Sequence, residues 1–149
     1  MEFSIVGSDQ LSLCCTTLTP PFKASAEFIS QFSNLKALTF QGLLVPETQH
    51  TVTFEWIPLA LRGVAPTVRK FTMEVVTNHL SHLHAIPWSA IDEVLASQLQ
   101  SVVIVEILLA TPIRVNRLFD NVFQDMEIRL PLAAQRGVLR CSAVSGFPI

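Results

Sequence analysis

The feature that most constrains this chain is a short apolar spacing that keeps returning along it. Leu35, Leu38 and Phe40 stand at i, i+3 and i+5, and the spacing recurs at Val68, Phe71, Met73 and at Leu99, Val102, Ile104. Two shortened copies flank these, Leu11 with Leu13 near the start and Leu139 with Cys141 near the end. Atypical terminal copies are usual in repeat architectures, because an end unit has only one neighbour to bury against. The second positions Leu11, Leu38, Phe71, Val102 and Leu139 are 27, 33, 31 and 37 residues apart. Each interval is long enough for a strand, a helix and two connections, which is the βαβ period and implies a mainly parallel sheet.

The segment Pro87 to Ile107 is the most complete unit. Ser89 with Asp92 three residues on makes a capping pair, and Ile91, Val94, Leu95 and Leu99 form the apolar stripe of a packed helix. Glu93, Ser97 and Gln98 fall on its other side. Val102 to Ile107 follows as a β-branched, almost continuously apolar strand. Elsewhere, Pro20-Pro21 precedes a helix marked by Phe22, Ala26, Phe28, Ile29 and Phe32, and Gly42 to Thr53 reads as a long loop. A short helix then turns Ile57, Leu61 and Val64 inward, with Pro58 in its first turn. Phe71 to Val76 is a strand, and Thr77 to Ile86 is a loop. Thr111-Pro112 starts the last long helix, whose Val115, Leu118, Phe119, Val122, Phe123 and Met126 are expected in the core. Pro131 ends it, a brief turn runs to Arg136, and Gly137 reverses the chain into the final strand.

This pattern predicts one α/β domain over residues 1–149, with about five strand–helix units. A fragment of a longer repeat array would read the same way. Half the residues are hydrophobic, only 15% are charged, and mean hydropathy is +0.45, so the chain is more apolar than an ordinary soluble domain. The longest apolar run, Val102 to Ala110, is broken by Glu106 and falls short of the ~18–20 residues a membrane helix needs. No membrane partner is expected. The first basic residue is Lys23, which does not suit a secretory leader, so the chain reads as intracellular, cytoplasmic or nuclear. Cys14, Cys15 and Cys141 are odd in number with two adjacent, as reduced core-filling thiols would be. A net charge of −2 without a basic run provides no footprint for nucleic acid.

Candidate chemistry is sparse. His79, His82 and His84 lie close in sequence, but no Cys or carboxylate accompanies them, so a solvated loop is expected rather than a metal site. Gly7-Ser8-Asp9 has no second glycine to let a phosphate approach the backbone, and no Gly-x-Ser-x-Gly elbow supports a hydrolase triad. Asp92-Glu93 and Asp125-x-Glu127 read as solvated helix surface, and Trp56 and Trp88 as seals at the edge of a core. Catalytic residues, cofactor and metal are therefore not expected.

Three marks give a resemblance: Asn34-Leu35-x-x-Leu38-x-Phe40; Trp88-x-x-Ile91-Asp92-x-x-Leu95 with Leu99-x-x-Val102-x-Ile104; and Leu130-Pro131 to Arg136-Gly137-Val138-Leu139. Together, over roughly residues 35 to 141, they resemble the leucine-rich-repeat-like C-terminal parts of F-box-type proteins abundant in mushroom-forming fungi. The resemblance implies a curved, open α/β repeat that holds a protein partner, in full-length relatives a substrate of a ubiquitin ligase. The F-box helices that dock on the ligase adaptor are not recognisable in this sequence.

If Leu38, Phe40, Phe71, Met73, Val102, Ile104, Leu139 and Cys141 point to the helices, alternation along the strands sends the residues between them to the other face. One row is Ser12, Thr39, Thr72, Val103 and Arg140, and the other is Cys14, Gln41, Glu74, Val105 and Ser142. Polar rows with an apolar middle suit a protein-binding face, with Thr39, Gln41, Thr72, Glu74, Val103, Val105 and Arg140 as contacts. The alternative is a compact doubly wound domain, with the second face covered and a small-molecule pocket or enzymatic site at the C-terminal strand ends. Phe3, Ile5, Val6, Leu11 and Leu13 make the N-terminal edge apolar, so it is expected to be covered by Phe3 to Val6 folding back, by self-association, or by preceding repeats.

Overall fold

The structure is a computed structural model that describes residues 2–5, 9–14, 29–45, 54–77, 80–111 and 122–145. Its centre is a six-stranded sheet of β1 (Glu2–Ile5), β2 (Gln10–Cys14), β3 (Ala37–Leu44), β4 (Lys70–Val76), β5 (Ile104–Thr111) and β6 (Leu139–Ser145). The strands lie in sequence order. β2 to β6 are parallel, and β1 folds back antiparallel on β2. The N-terminal edge is thus covered by the chain's own first strand, the first of the three arrangements expected for it. Among the described residues Ile29 and Ser30 are helical, and the further helices are α1 (Trp56–Arg62), α2 (Trp88–Ser97), α3 (Val122–Arg129) and α4 (Pro131–Gln135), with a 3-10 helix at Leu80–Ala85. That 3-10 helix occupies most of what the sequence suggested was a plain loop from Thr77 to Ile86.

Strand order explains the layering. Each parallel strand pairs with the next one in sequence, so every crossover steps the same way, and crossovers of one hand then leave their helices on one face. The helices bear this out by packing in a row, α1 on α2, α2 on α4 and α4 on α3, with α3 also resting on β6. A doubly wound sheet requires the order to reverse at a switch point, and this order never reverses.

The core lies between the sheet and this helical row. Leu38, Phe40, Phe71, Met73, Val75, Val105, Ile107, Leu109 and Leu139 face Ile57, Leu61, Ile91, Val94, Leu95 and Met126 in one apolar cluster. Phe40 sits at its centre, with Trp56 at 5.3 Å and Phe71 at 5.4 Å between ring centroids, the latter edge-on. Trp56 and Trp88 are both buried, and the Trp88 indole N–H donates to the Leu83 carbonyl at 2.7 Å, so each seals the core as expected. Ile57, Leu61, Val64, Ile91, Val94 and Leu99 are also buried as the periodicity predicts.

The repeat itself is three residues out of the expected register in its third full copy. Val105 pairs with Phe71 and Ile107 with Met73, so Val102, Val105 and Ile107 match Leu35, Leu38 and Phe40. The segment from Leu99 to Ile107 satisfies the i, i+3, i+5 apolar spacing twice, and that spacing does not say which set is structural. Backbone pairing decides it. The Asp9 carbonyl accepts from the N–H groups of Lys36 and Ala37, that of Lys36 from Arg69 and Lys70, and that of Arg69 from Val103 and Ile104. One forked bond therefore admits each of β3, β4 and β5 to the sheet, and β5 begins at Ile104 rather than at Val102. An odd slip also reverses which face every side chain occupies.

Local departures have local causes. Gly42 does not open a loop but sits inside β3 at φ +68, where the register jumps between Phe40 and Leu43. The extra residue is a bulge, glycine accommodates its left-handed backbone, and Leu43 is returned to the core face. Gly137, at φ +70, makes the expected reversal into β6. Thr111 closes β5 rather than capping a helix, and α2 begins after Pro87 without a side-chain cap from Ser89. Phe123, expected in the core, is 45% exposed, while Val122 and Met126 of the same helix are buried. The stripe reading treated α3 as packed along two flanks, but it buries a narrower line. Pro20 to Phe28, Pro46 to Thr53 and Pro112 to Asn121, with Phe119, fall outside the described residues.

Candidate functional site

The face opposite the helices carries most of the polar side chains of the sheet. Pairing aligns Ser12, Thr39, Thr72, Glu106 and Arg140 in one row across five strands. A second row brings Glu74, Leu108 and Ser142 level, with Gln41 beside Glu74 at the bulge. Ile104, Val76 and Ala110 share this face outside the apolar core cluster, and Val76 and Ala110, near the C-terminal ends of β4 and β5, are themselves buried. In these two rows the polar residues of β6 are exposed, and those of β4 and β5 are buried or half-buried. The Ser12 hydroxyl and Thr72 are buried, Thr39, Glu74 and Glu106 are half-buried, and Gln41, Arg140 and Ser142 are exposed.

Two of the seven residues expected on this face are elsewhere. Val105 is 0% exposed in the core, and Val103 is 58% exposed but lies before β5, outside either row. Both errors follow from the three-residue slip. Thr72 is in the row but too buried to offer much contact. Thr39, Gln41, Glu74 and Arg140 are where alternation placed them.

Glu106 was missed, although a signal for it existed. A charged residue in the middle of an otherwise apolar strand must face away from the core, because burying an unpaired carboxylate costs far more than the strand gains. Taken as an anchor, Glu106 would have placed Val105 and Ile107 on the helix face. Its carboxylate stands 3.9 Å from the Lys70 ammonium, and both groups are solvated enough for the pair to add little stability. Lys70, Glu74, Glu106 and Arg140 thus form an alternating pattern of charge over β4, β5 and β6. The Arg140 guanidinium is steadied by the carbonyls of Gly137 and Leu139, at 3.2 and 3.0 Å.

Within the helical row, a groove of about 350 Å³ is lined by Ser89, Asp92, Glu93, Ile128, Arg129, Pro131 and Leu132. Its charged walls already have work. Asp92, expected on solvated surface, is 2% exposed and accepts from the backbone N–H groups of Leu132 at 2.8 Å and Ala133 at 3.0 Å. It therefore caps α4 from forty residues away. Pro131 leads that helix and has no N–H, so Asp92 satisfies the next two donors of the first turn. Arg129 is bonded to Asp125 at 2.7 Å.

Arg136 ties the same two units together from the other side, donating to the carbonyls of Leu95, Gln100 and Val102 at 3.4, 3.1 and 2.9 Å. Of the clustered histidines, His79 lies outside the described residues, and His84 bonds through Nδ1 with the Ser81 carbonyl within the 3-10 helix. Among the described residues no group of three His, Cys, Asp or Glu side chains could hold a metal ion, and no helix is long and apolar enough to cross a membrane. No family model, curated protein or solved structure matches the chain.

Proposed function

We propose that the chain is a noncatalytic protein-binding module that holds its partner against the face of the sheet opposite the described helices. The observation that carries this reading is the sheet's construction. Five parallel strands lie in sequence order, the described helices pack in a single row on one side, and the other side presents the charges of Lys70, Glu74, Glu106 and Arg140 around Gln41 and Ser142. A fixed, repeating backbone that displays alternating charge gives register and discrimination to a protein partner more readily than it encloses a small molecule. The arrangement is leucine-rich-repeat-like and open. The resemblance to the C-terminal parts of F-box-type proteins extends the proposal, making the bound protein the substrate of a ubiquitin-ligase receptor.

The test is affinity capture from the native cell with quantitative mass spectrometry. Wild type is compared with an open-face variant carrying Glu74→Arg, Glu106→Lys and Arg140→Glu, and with the helix-side variant Glu93→Lys. The proposal expects a partner retained by wild type and by Glu93→Lys, and depleted at least tenfold by the open-face variant. Retention by the open-face variant, or equal loss from both, would overturn it.

A further inference from the structure

The two edges of the sheet are finished differently. At one edge β1 lies antiparallel on β2, whereas among the described residues no strand lies beyond β6. Among the described residues β6 has few of the usual protections of an exposed edge. It is seven residues long, contains no proline and has one charge, Arg140, near its start. Its register with β5 runs unbroken from Leu139 to Ser145. Long, regular, weakly charged edges are templates for another strand.

The alternation of backbone groups fixes what this edge offers. The Val105 N–H donates to the Val138 carbonyl, so in a parallel ladder Arg140, Ser142 and Val144 direct their backbone groups to β5. Leu139, Cys141, Ala143 and Ser145 direct theirs outward. The helix above matches this open end. On α3, Ile128 and Arg129 face the groove shared with α2, which leaves Phe123 and Glu127, one turn apart, on the other flank. α3 rests on β6, and the charge of Glu127 reaches the Cys141 thiol on that strand. Phe123 is therefore an exposed aromatic ring on the flank beside the unpaired edge.

We infer that β6 pairs antiparallel with β6 of a second copy of this chain, joining the two sheets into one across an axis at Ser142. In that register Leu139 meets Ser145 and Cys141 meets Ala143, so every outward backbone group finds an outward partner. Opposed residues keep to the same face, and both helical rows stay on one side, with the Phe123 flanks of the two α3 helices turned towards each other. The single charge is accommodated. Each Arg140 falls opposite Val144 of the second copy, so the two guanidinium-bearing positions are four residues apart, about 14 Å along the ribbon and beyond the Debye length of ~8–10 Å. This self-association is at the opposite edge from the one the apolar N-terminus suggested.

Sedimentation velocity on the full chain, wild type against Ala143→Pro and Ala143→Lys, tests this. Ala143→Pro removes an outward N–H and leaves the inward ladder to β5 intact, while Ala143→Lys keeps the backbone and sets two ammonium groups close to the axis. The expected result is a wild-type dimer at tens of micromolar, at least tenfold weaker dimerisation in Ala143→Lys, and a monomer with unchanged far-UV circular dichroism in Ala143→Pro. If Ala143→Pro fails to fold, the lysine variant decides. A monomeric wild type up to about 100 μM, or a lysine variant that dimerises like wild type, would overturn the inference.

Discussion

Replacing Asp92 by alanine should uncouple the last strand–helix unit from the one before it. The carboxylate is buried and accepts from the N–H groups of Leu132 and Ala133, so the substitution leaves two donors without their acceptor. Ala133 is buried, and stranding its N–H costs about 1–3 kcal/mol. Leu132 is exposed beside the groove, where water can replace the lost acceptor, so its share is smaller, about 0.5–1 kcal/mol. The sum is about 1.5–4 kcal/mol. In a chain of this size each kcal/mol moves the melting midpoint by ~2–4 °C, so a fall on the order of 5–15 °C is expected. Thermal and urea unfolding followed by circular dichroism measures it, with Glu93→Ala as the control. Glu93 is the exposed neighbour on the same helix and should shift stability by no more than about 0.5 kcal/mol. If Asp92→Ala melts within a degree of Glu93→Ala, the carboxylate does not hold α4 and the coupling argument is wrong.

Other substitutions test separate parts of the account. Phe40→Ala, at the centre of the aromatic contacts with Trp56 and Phe71, should cost about 3–5 kcal/mol in urea unfolding. Val105→Thr should destabilise by about 1–3 kcal/mol and Val103→Thr by less than about 0.5, whereas the unslipped register sets both on the open face and implies small effects for both. Gly137→Ala should cost only the left-handed backbone, about 1–2 kcal/mol, because a Cβ there would meet nothing within 4 Å. Burial, helped by the charge of Glu127, pushes the Cys141 thiol up to about 11. The folded chain therefore holds this proton more tightly than the unfolded chain, so the associated stability is complete below pH ~8.5 and lost as pH rises towards 11. Alkylation of native Cys141 should accelerate up to that range, and Glu127→Gln should move the profile to lower pH.

The sequence was most informative where a residue had only one way to be satisfied. The βαβ period, the inward stripe of α2 and the reversal at Gly137 all follow from apolar spacing or backbone conformation, and each is found. Two faults share a different origin. In Val102 to Ile107 every residue but Glu106 is apolar, so apolar spacing alone could not select a register, and the choice was made by forked backbone bonds from the neighbouring strand. Asp92 looked like an acid on a solvated helix because its partners lie forty residues away on the backbone of α4. Tertiary capping leaves no local pattern. Part of the candidate face was legible, since Thr39, Gln41, Glu74 and Arg140 alternate with core residues in clear registers, whereas Glu106 was legible only by treating a lone charge as an anchor.

The proposed binding surface requires the face of the sheet opposite the described helices to be open to solvent, and solvent paramagnetic relaxation of methyl groups along β5 measures that directly. With a soluble gadolinium chelate, the methyls of Ile104 and Leu108 on the open face should relax several-fold faster than those of Val105, Ile107 and Leu109 beneath the helices. Equal protection of all five would place a second layer over the face and contradict the proposed binding surface.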